Sequence, residues 1–189
     1  MTVASWTSGT IRAAEWIKVE IARLARRRAH RSISWTGGEP LLHARFLMPL
    51  MRWAHEKGLE NHLETNGTLT APMAALAPLC DAVAMDIKLP SSTGRDSWGA
   101  HRDFLRVAAP ATSVKVVLSD RSTEAEWKKV LELVRRAPRP VPLYLQPATP
   151  IGKVRPIPAG RCLRFESQAR RVVDDVHVRP QWHHLWRLP

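Results

Sequence analysis

The stretch Ser32-Ile-Ser-Trp-Thr-Gly-Gly-Glu-Pro40 runs a short hydrophobic strand straight into two glycines, a carboxylate and a proline. Adjacent glycines after a strand let the main chain approach a ligand closely, because no Cβ shields its amides and carbonyls. Pro40 sets the exit and holds Glu39 extended. An ordinary strand-to-helix turn shows the same local pattern, so the neighbouring segments decide what the loop is for.

Outward from the loop, the chain alternates between strand and helix patterns. Upstream, Ile17, Ile21 and Leu24 share one face of a helix that Thr10 can cap and that ends before His30. Downstream, Phe46, Leu47, Leu50, Met51 and Ala54 recur at helical spacing up to a stop at Lys57-Gly58. Residues 59–63 read as a strand closing on Glu64-Thr-Asn-Gly67, where Asn-Gly signals a turn. A short helix is expected over 71–79, a strand over 82–85, a variable helix over 96–106 and a strand over 113–118. Thr123 and Glu126 form a capping box for a helix with Trp127, Val130, Leu131 and Val134 as its apolar stripe. A strand at 143–145, a helix near 160–172 and a short strand at 176–178 complete the series.

Near-continuous apolar strands separated by helices predict an α/β fold, a parallel sheet wrapped by helices. Polar residues gather where strands end: Thr36 to Glu39, Glu64 to Asn66, Asp86 to Ser92, Ser119 with Asp120, and Gln146. In parallel sheets and barrels that edge binds ligands, so a curved partial barrel would gather all five clusters around one pocket for a polar small molecule.

At 189 residues and 44% hydrophobic, the chain has the make-up of one domain, residues 1–189, with a sizeable core. It carries no apolar run near the roughly 20 residues of a membrane span, and cytoplasm is the default expectation. The net charge of +12 reads as a solvated basic face: the arginines are spread and lack interleaved aromatics, so nucleic acid is not the expected partner. Cys80 and Cys162 lie far apart, and neither they nor the His183-His184 pair has metal-ligand spacing; no metal ligand is assigned.

Gly37-Gly38-Glu39-Pro40 resembles the loop of radical S-adenosylmethionine (SAM) enzymes that holds the methionine end of the cofactor. Together, Thr36-Gly-Gly-Glu-Pro-Leu-Leu42, Leu63-Glu-Thr-Asn-Gly-Thr68, Asp86-Ile-Lys-Leu-Pro-Ser-Ser92, Tyr144-Leu-Gln-Pro147 and Pro180-Gln-Trp-His183 most resemble the 7-carboxy-7-deazaguanine synthase family. The resemblance runs from about residue 10 to the end and implies a partial parallel β/α barrel. It implies that Gly37, Gly38, Glu39, Ser91, Ser92, Gln146 and Pro147 bind SAM and that Thr36, Glu64, Asn66 and Pro189 meet the substrate, with Lys88 behind them. Asn66 is also a turn former, Glu64 could cap a backbone, and Ser91-Ser92 could start a helix.

The chemistry so implied is a lyase reaction of queuosine and 7-deazapurine biosynthesis. A 4Fe-4S cluster and SAM generate a radical that converts 6-carboxytetrahydropterin to 7-carboxy-7-deazaguanine with loss of ammonia, assisted by Mg2+, with flavodoxin or ferredoxin as electron donor. The family's Cys-x3-Cys-x2-Cys motif, which precedes the Gly-Gly loop, is absent, as are the Mg2+-binding threonine and the first strand. The resemblance therefore implies an N-terminally truncated chain, inactive in isolation, with an open sheet edge that favours a homodimer. The alternative is a cluster-less SAM- or pterin-binding protein without radical chemistry.

Overall fold

The structure, a computed structural model, describes residues 8–27 and 30–180. Six strands form one sheet in the order β1 (Ser32–Trp35), β2 (Glu60–Thr65), β3 (Ala82–Ile87), β4 (Thr112–Leu118), β5 (Leu143–Pro147) and β6 (Val176–Val178), every neighbouring pair parallel. The helices are α1 (Ser8–Arg27), α2 (Ala44–Glu56), α3 (Thr70–Leu76), α4 (Pro90–Thr93), α5 (Trp98–Val107), α6 (Glu124–Arg135) and α7 (Ala159–Ala169). The sheet is not closed; β1 and β6 are its edges.

The sequence patterns explain most elements. The 3-10 turn Pro40–His43 starts on proline, and the Glu39 carboxylate caps it from the Leu41 N–H. Gly58 stops the chain just after α2 with φ of 71°. The capping box opens α6, with Thr123 and Glu126 exchanging both bonds. Three expectations shift. α1 already contains Thr10 at its start, so Thr10 is not its cap. The helix expected over 96–106 is α5, and a further short helix, α4, precedes it and ends where Gly94 takes a left-handed conformation (φ 70°). On α6 Leu133 is buried, whereas Leu131 is only half-buried.

A larger correction concerns the faces of the sheet. Strand order follows chain order, and crossovers between parallel strands share one hand, so the connecting helices fall on one side. Burial therefore alternates along β3 and β4 instead of being continuous. Val83, Met85, Ile87, Val114, Val116, Leu118, Leu143 and Leu145 pack under the helices, with Trp127 stacked on Phe165 at 4.9 Å. The opposite face carries Ala84, Asp86, Ser113, Lys115, Tyr144 and His177, all half-buried. Asp86, Lys115, Tyr144 and His177 lie side by side across four strands.

Candidate functional site

At the C-terminal end of β1, β2 and β3 lies a cavity of about 150 Å3, lined by Thr36, Gly37, Gly38, Glu64, Thr65, Asn66, Ala84, Asp86, Lys88 and Lys115. A roomier hollow of about 510 Å3 lies between the end of α6 and the turn before β6, lined by Pro138, Pro140 and Pro142 with Arg135, Arg139, Asp174 and Asp175, and it lies away from the strand-end clusters. The smaller cavity joins three of the five strand-end clusters and is the candidate site.

Its first wall is the Gly-Gly loop. A Cβ placed on Gly37 or Gly38 would meet no atom within 4 Å, so the space above this backbone is open to a ligand. Gly37 has φ of 137°, which side-chain-bearing residues rarely adopt. Glu39 lies behind the wall. Its Oε1 accepts from the Leu41 N–H (3.1 Å) and the Thr65 hydroxyl (2.8 Å), and Oε2 accepts from the Asn66 N–H (2.8 Å). The carboxylate thus binds the Gly-Gly loop to the turn after β2, rather than lining the cavity.

That turn is the second wall. The Asn66 side-chain oxygen accepts from the Thr68 N–H (3.0 Å) and hydroxyl (2.6 Å), and the Thr65 hydroxyl accepts from the Gly67 N–H (3.2 Å). Gly67 is required here: its φ is 68°, and a Cβ would stand 2.6 Å from Met85 Cε. Asn66 is therefore both a turn former and a cavity residue, its Nδ2 free of partners among the described residues. Glu64 is exposed and makes no hydrogen bond or ion pair among those residues.

Charge defines the third wall. Asp86 Oδ2 lies 2.6 Å from Lys88 Nζ and 3.5 Å from Lys115 Nζ, while Asp86 Oδ1 is buried without a partner. A backbone without Cβ cover and two ammonium groups suit the amino-acid end of a zwitterionic ligand, whose carboxylate needs cations and whose ammonium can meet backbone carbonyls. Sequence reasoning gathered Thr65 and Asp86 into the strand-end clusters without a role of their own and left Ala84 and Lys115 out of the site. Lys115 sits inside a strand otherwise read as apolar; its signal was a lone charge two residues from Ser113, in phase with the uncovered face.

The remaining expected residues lie elsewhere. Gln146 is half-buried and registers with Val117, one row beyond Lys115, and Pro147 ends β5; neither lines the cavity. Ser91 and Ser92 lie within α4. The Ser91 N–H donates to Glu126 Oε1 (2.6 Å), its hydroxyl is buried without a partner, and the Ser92 hydroxyl donates to the Leu89 carbonyl (2.8 Å). Partial burial pushes the Glu126 carboxyl up, but the bonds it accepts from Thr123 and Ser91 outweigh this and hold it below the usual range. Pro189 and His183 lie outside the described residues.

A sequence model of the radical SAM superfamily matches residues 6–143. The chain is 36% identical to the 7-carboxy-7-deazaguanine synthase of Geobacter sulfurreducens over 156 residues, covering 82% of this chain and 62% of that protein. It is 30% identical to the enzyme of the same name from Thermococcus kodakarensis, over 78% of this chain and 58% of that one. The chain thus spans about 60% of the length of these relatives. Among solved structures, a radical SAM methyltransferase from Sphaerobacter thermophilus superposes with a TM-score of 0.66 at 21% identity, over 86% of this chain and 55% of that one. A domain of pyruvate-formate lyase-activating enzyme from Bacteroides vulgatus gives 0.62 at 17% identity, over 78% of this chain and 98% of that domain. At such identities the two structures show the fold alone.

The superfamily implies SAM and a 4Fe-4S cluster. The cavity fits the zwitterionic methionine end of SAM through the open Gly37-Gly38 backbone, Lys88 and Lys115. The cluster does not fit: among the described residues no three His, Cys, Asp or Glu side chains group to hold a metal. Cys80 precedes β3 at the opposite edge of the sheet, its thiol pushed up to about 12 by burial and the neighbouring Asp81, and Cys162 is buried on α7. No helix among the described residues is long and apolar enough to cross a membrane. With the superfamily's sequence match over residues 6–143, its fold and a cavity on its Gly-Gly-Glu-Pro loop, the chain belongs to the radical SAM superfamily.

Proposed function

We propose that the chain forms the SAM- and pterin-binding part of a lyase of queuosine and 7-deazapurine biosynthesis, one that converts 6-carboxytetrahydropterin to 7-carboxy-7-deazaguanine with loss of ammonia. The observation that carries this reading is the convergence of Thr36 to Gly38, Glu64 to Asn66 and Asp86 to Lys88 around one cavity, in a chain similar to synthases of that name. Gly37 and Gly38 open their backbone to the amino-acid end of SAM, and Lys88 and Lys115 compensate its carboxylate. Thr36, Glu64 and the Asn66 amide turn hydrogen-bonding groups toward the pterin. By the resemblance to these synthases, Ser91, Ser92, Gln146 and Pro147 serve the nucleoside end of SAM, and Pro189, outside the described residues, serves the substrate.

No radical step is derived, because two distant cysteines do not hold a cluster. The same observation favours a second reading, a protein that binds SAM or pterin without radical chemistry. Mg2+, a flavodoxin or ferredoxin donor and a homodimer belong to the first reading. Calorimetry of the chain with SAM and with 6-carboxytetrahydropterin, before and after reconstitution with iron and sulfide, separates them. Binding with no cluster absorbance supports the binding reading for this chain by itself; cluster absorbance with SAM cleavage supports the lyase. Absence of binding by both molecules sinks the two together.

A further inference from the structure

One buried titratable group sits against the site without touching the cavity. His101, on α5, is 1% exposed, and its Nε2 lies 3.2 Å from the Asn66 carbonyl oxygen. A carbonyl only accepts, so Nε2 must carry the hydrogen and Nδ1 must be bare. Nδ1 is buried and has no partner in the structure, so only the bond to Asn66 orients the ring through its nitrogens. The Trp98 ring meets it edge-on at 6.3 Å.

Leaving Nδ1 unpaired costs free energy, about 1–3 kcal/mol for a buried polar atom without a partner. A plain core position would be filled more cheaply by an apolar side chain. What the imidazole adds is a donor to Asn66, and Asn66 is held from every other side. Glu39 takes its N–H at 2.8 Å, and Thr68 bonds its side-chain oxygen at 3.0 and 2.6 Å. Of the two groups left, His101 takes the carbonyl. The side-chain nitrogen of Asn66, a residue that lines the cavity, is the part that remains free.

We propose that His101 is a positioning residue of the site: from beneath α5 it clamps the Asn66 peptide against Glu39 and so aims the Asn66 carboxamide into the cavity. The inference rests on the reading of that cavity as the SAM and pterin site.

The test compares His101→Gln, whose amide can still donate, with His101→Met, which fills similar volume without a donor. Hydrogen exchange reads the clamp directly, because the amides of Asn66, Gly67 and Thr68 are all bonded within this turn. In the Met variant these three amides exchange about tenfold faster, and in the Gln variant within about threefold of the unmodified chain. A merely structural histidine would change both variants alike, and that result overturns the proposal. Nitrogen NMR of the unmodified chain gives a reading that needs no variant to fold: the Nε2–H tautomer is expected, and the Nδ1–H tautomer overturns the clamp. S-adenosylhomocysteine titrated by calorimetry binds about tenfold more weakly to the Met variant and within about threefold to the Gln variant. Failure of the unmodified chain to bind it refutes the cavity's SAM assignment, while exchange and tautomer still decide the role of His101.

Discussion

The loops after β1, β2 and β3 and those after β4 and β5 leave the same edge of one sheet, yet they use their polar groups differently. In the first set, Glu39, Asn66 and Thr65 bond the loops to one another and leave the Glu64 carboxylate, the Asn66 Nδ2 and the open glycine backbone beside the cavity without partners among the described residues. Behind them Asn61 is fully buried and fully bonded, accepting from Trp35 Nε1 (2.8 Å) and donating to the carbonyls of Met51 (2.9 Å) and Leu79 (3.0 Å). In the second set the backbone groups are largely consumed internally. Asp120 N–H bonds the Arg155 carbonyl, Leu118 C=O accepts from Ala148 and Ile157, Ser119 N–H bonds the Ser122 hydroxyl, and Arg161 donates to the Ser119 and Asp120 carbonyls. Lying at the ligand-binding edge is therefore not enough. A site forms where polar groups remain after the loops have satisfied one another.

Substitutions on the two sides can break or sharpen this contrast. The largest effect is expected for Gly67→Ala, which adds a left-handed residue and a Cβ 2.6 Å from the fully buried Met85. The combined strain and overpacking cost about 3 kcal/mol, read as a lower denaturation midpoint. Asn61→Ala leaves the Trp35 indole and two carbonyls without partners and costs about 2–3 kcal/mol, with the first set of loops loosened and the second untouched by hydrogen exchange. Glu126→Gln, on the second side, weakens the charged acceptor shared by Ser91 and Thr123; about 1–2 kcal/mol is expected, with faster exchange at Ser91. Arg161→Ala removes an exposed tether and costs about 0.5 kcal/mol. If it lowers ligand affinity tenfold, the loop after β4 belongs to the site and the contrast fails.

Acid should separate the two sides by pH. Burial lowers the His101 pKa below the ordinary histidine value, against the opposing pull of the Asn66 bond and of Asp86 on β3 and Asp96 ahead of α5. The unfolded chain then takes up the proton first, so stability present above about pH 6.5 declines as pH falls toward the lowered folded value. Glu126 and Asp81 also have lowered values; for Asp81, partial burial is outweighed by bonds from the Asn61 N–H and His55. Their contributions hold above the ordinary carboxylate range near pH 4 and are lost below it. Chemical denaturation at stepped pH should show an early loss that His101→Gln reduces and a later one that Glu126→Gln reduces.

The strand-helix alternation was readable because each element carries its own period and its own stop, from the Thr123 and Glu126 box to the glycine after α2. The Gly-Gly-Glu-Pro and Glu-Thr-Asn-Gly strings likewise marked two walls of the cavity. Less readable was the use of each residue within a motif. Glu39 and Asn66 both looked like ligand contacts, and only their bonds show that Glu39 braces the turn while Asn66 faces the cavity. Lys115 and His101 carried no motif, since their roles depend on which strand or turn lies beside them.

The amino-acid sequence by itself determined the parallel α/β architecture, the loops at the strand ends and membership of the radical SAM superfamily, because periodicity, turn chemistry and motif spacing are local properties of a chain. Tertiary structure alone decided which sheet face stays uncovered, which three of five strand-end clusters meet, and which polar groups remain unpaired at their meeting. Those outcomes turn on crossover handedness and on hydrogen bonds between residues about 26 to 35 positions apart, such as Glu39 with Thr65 and His101 with Asn66.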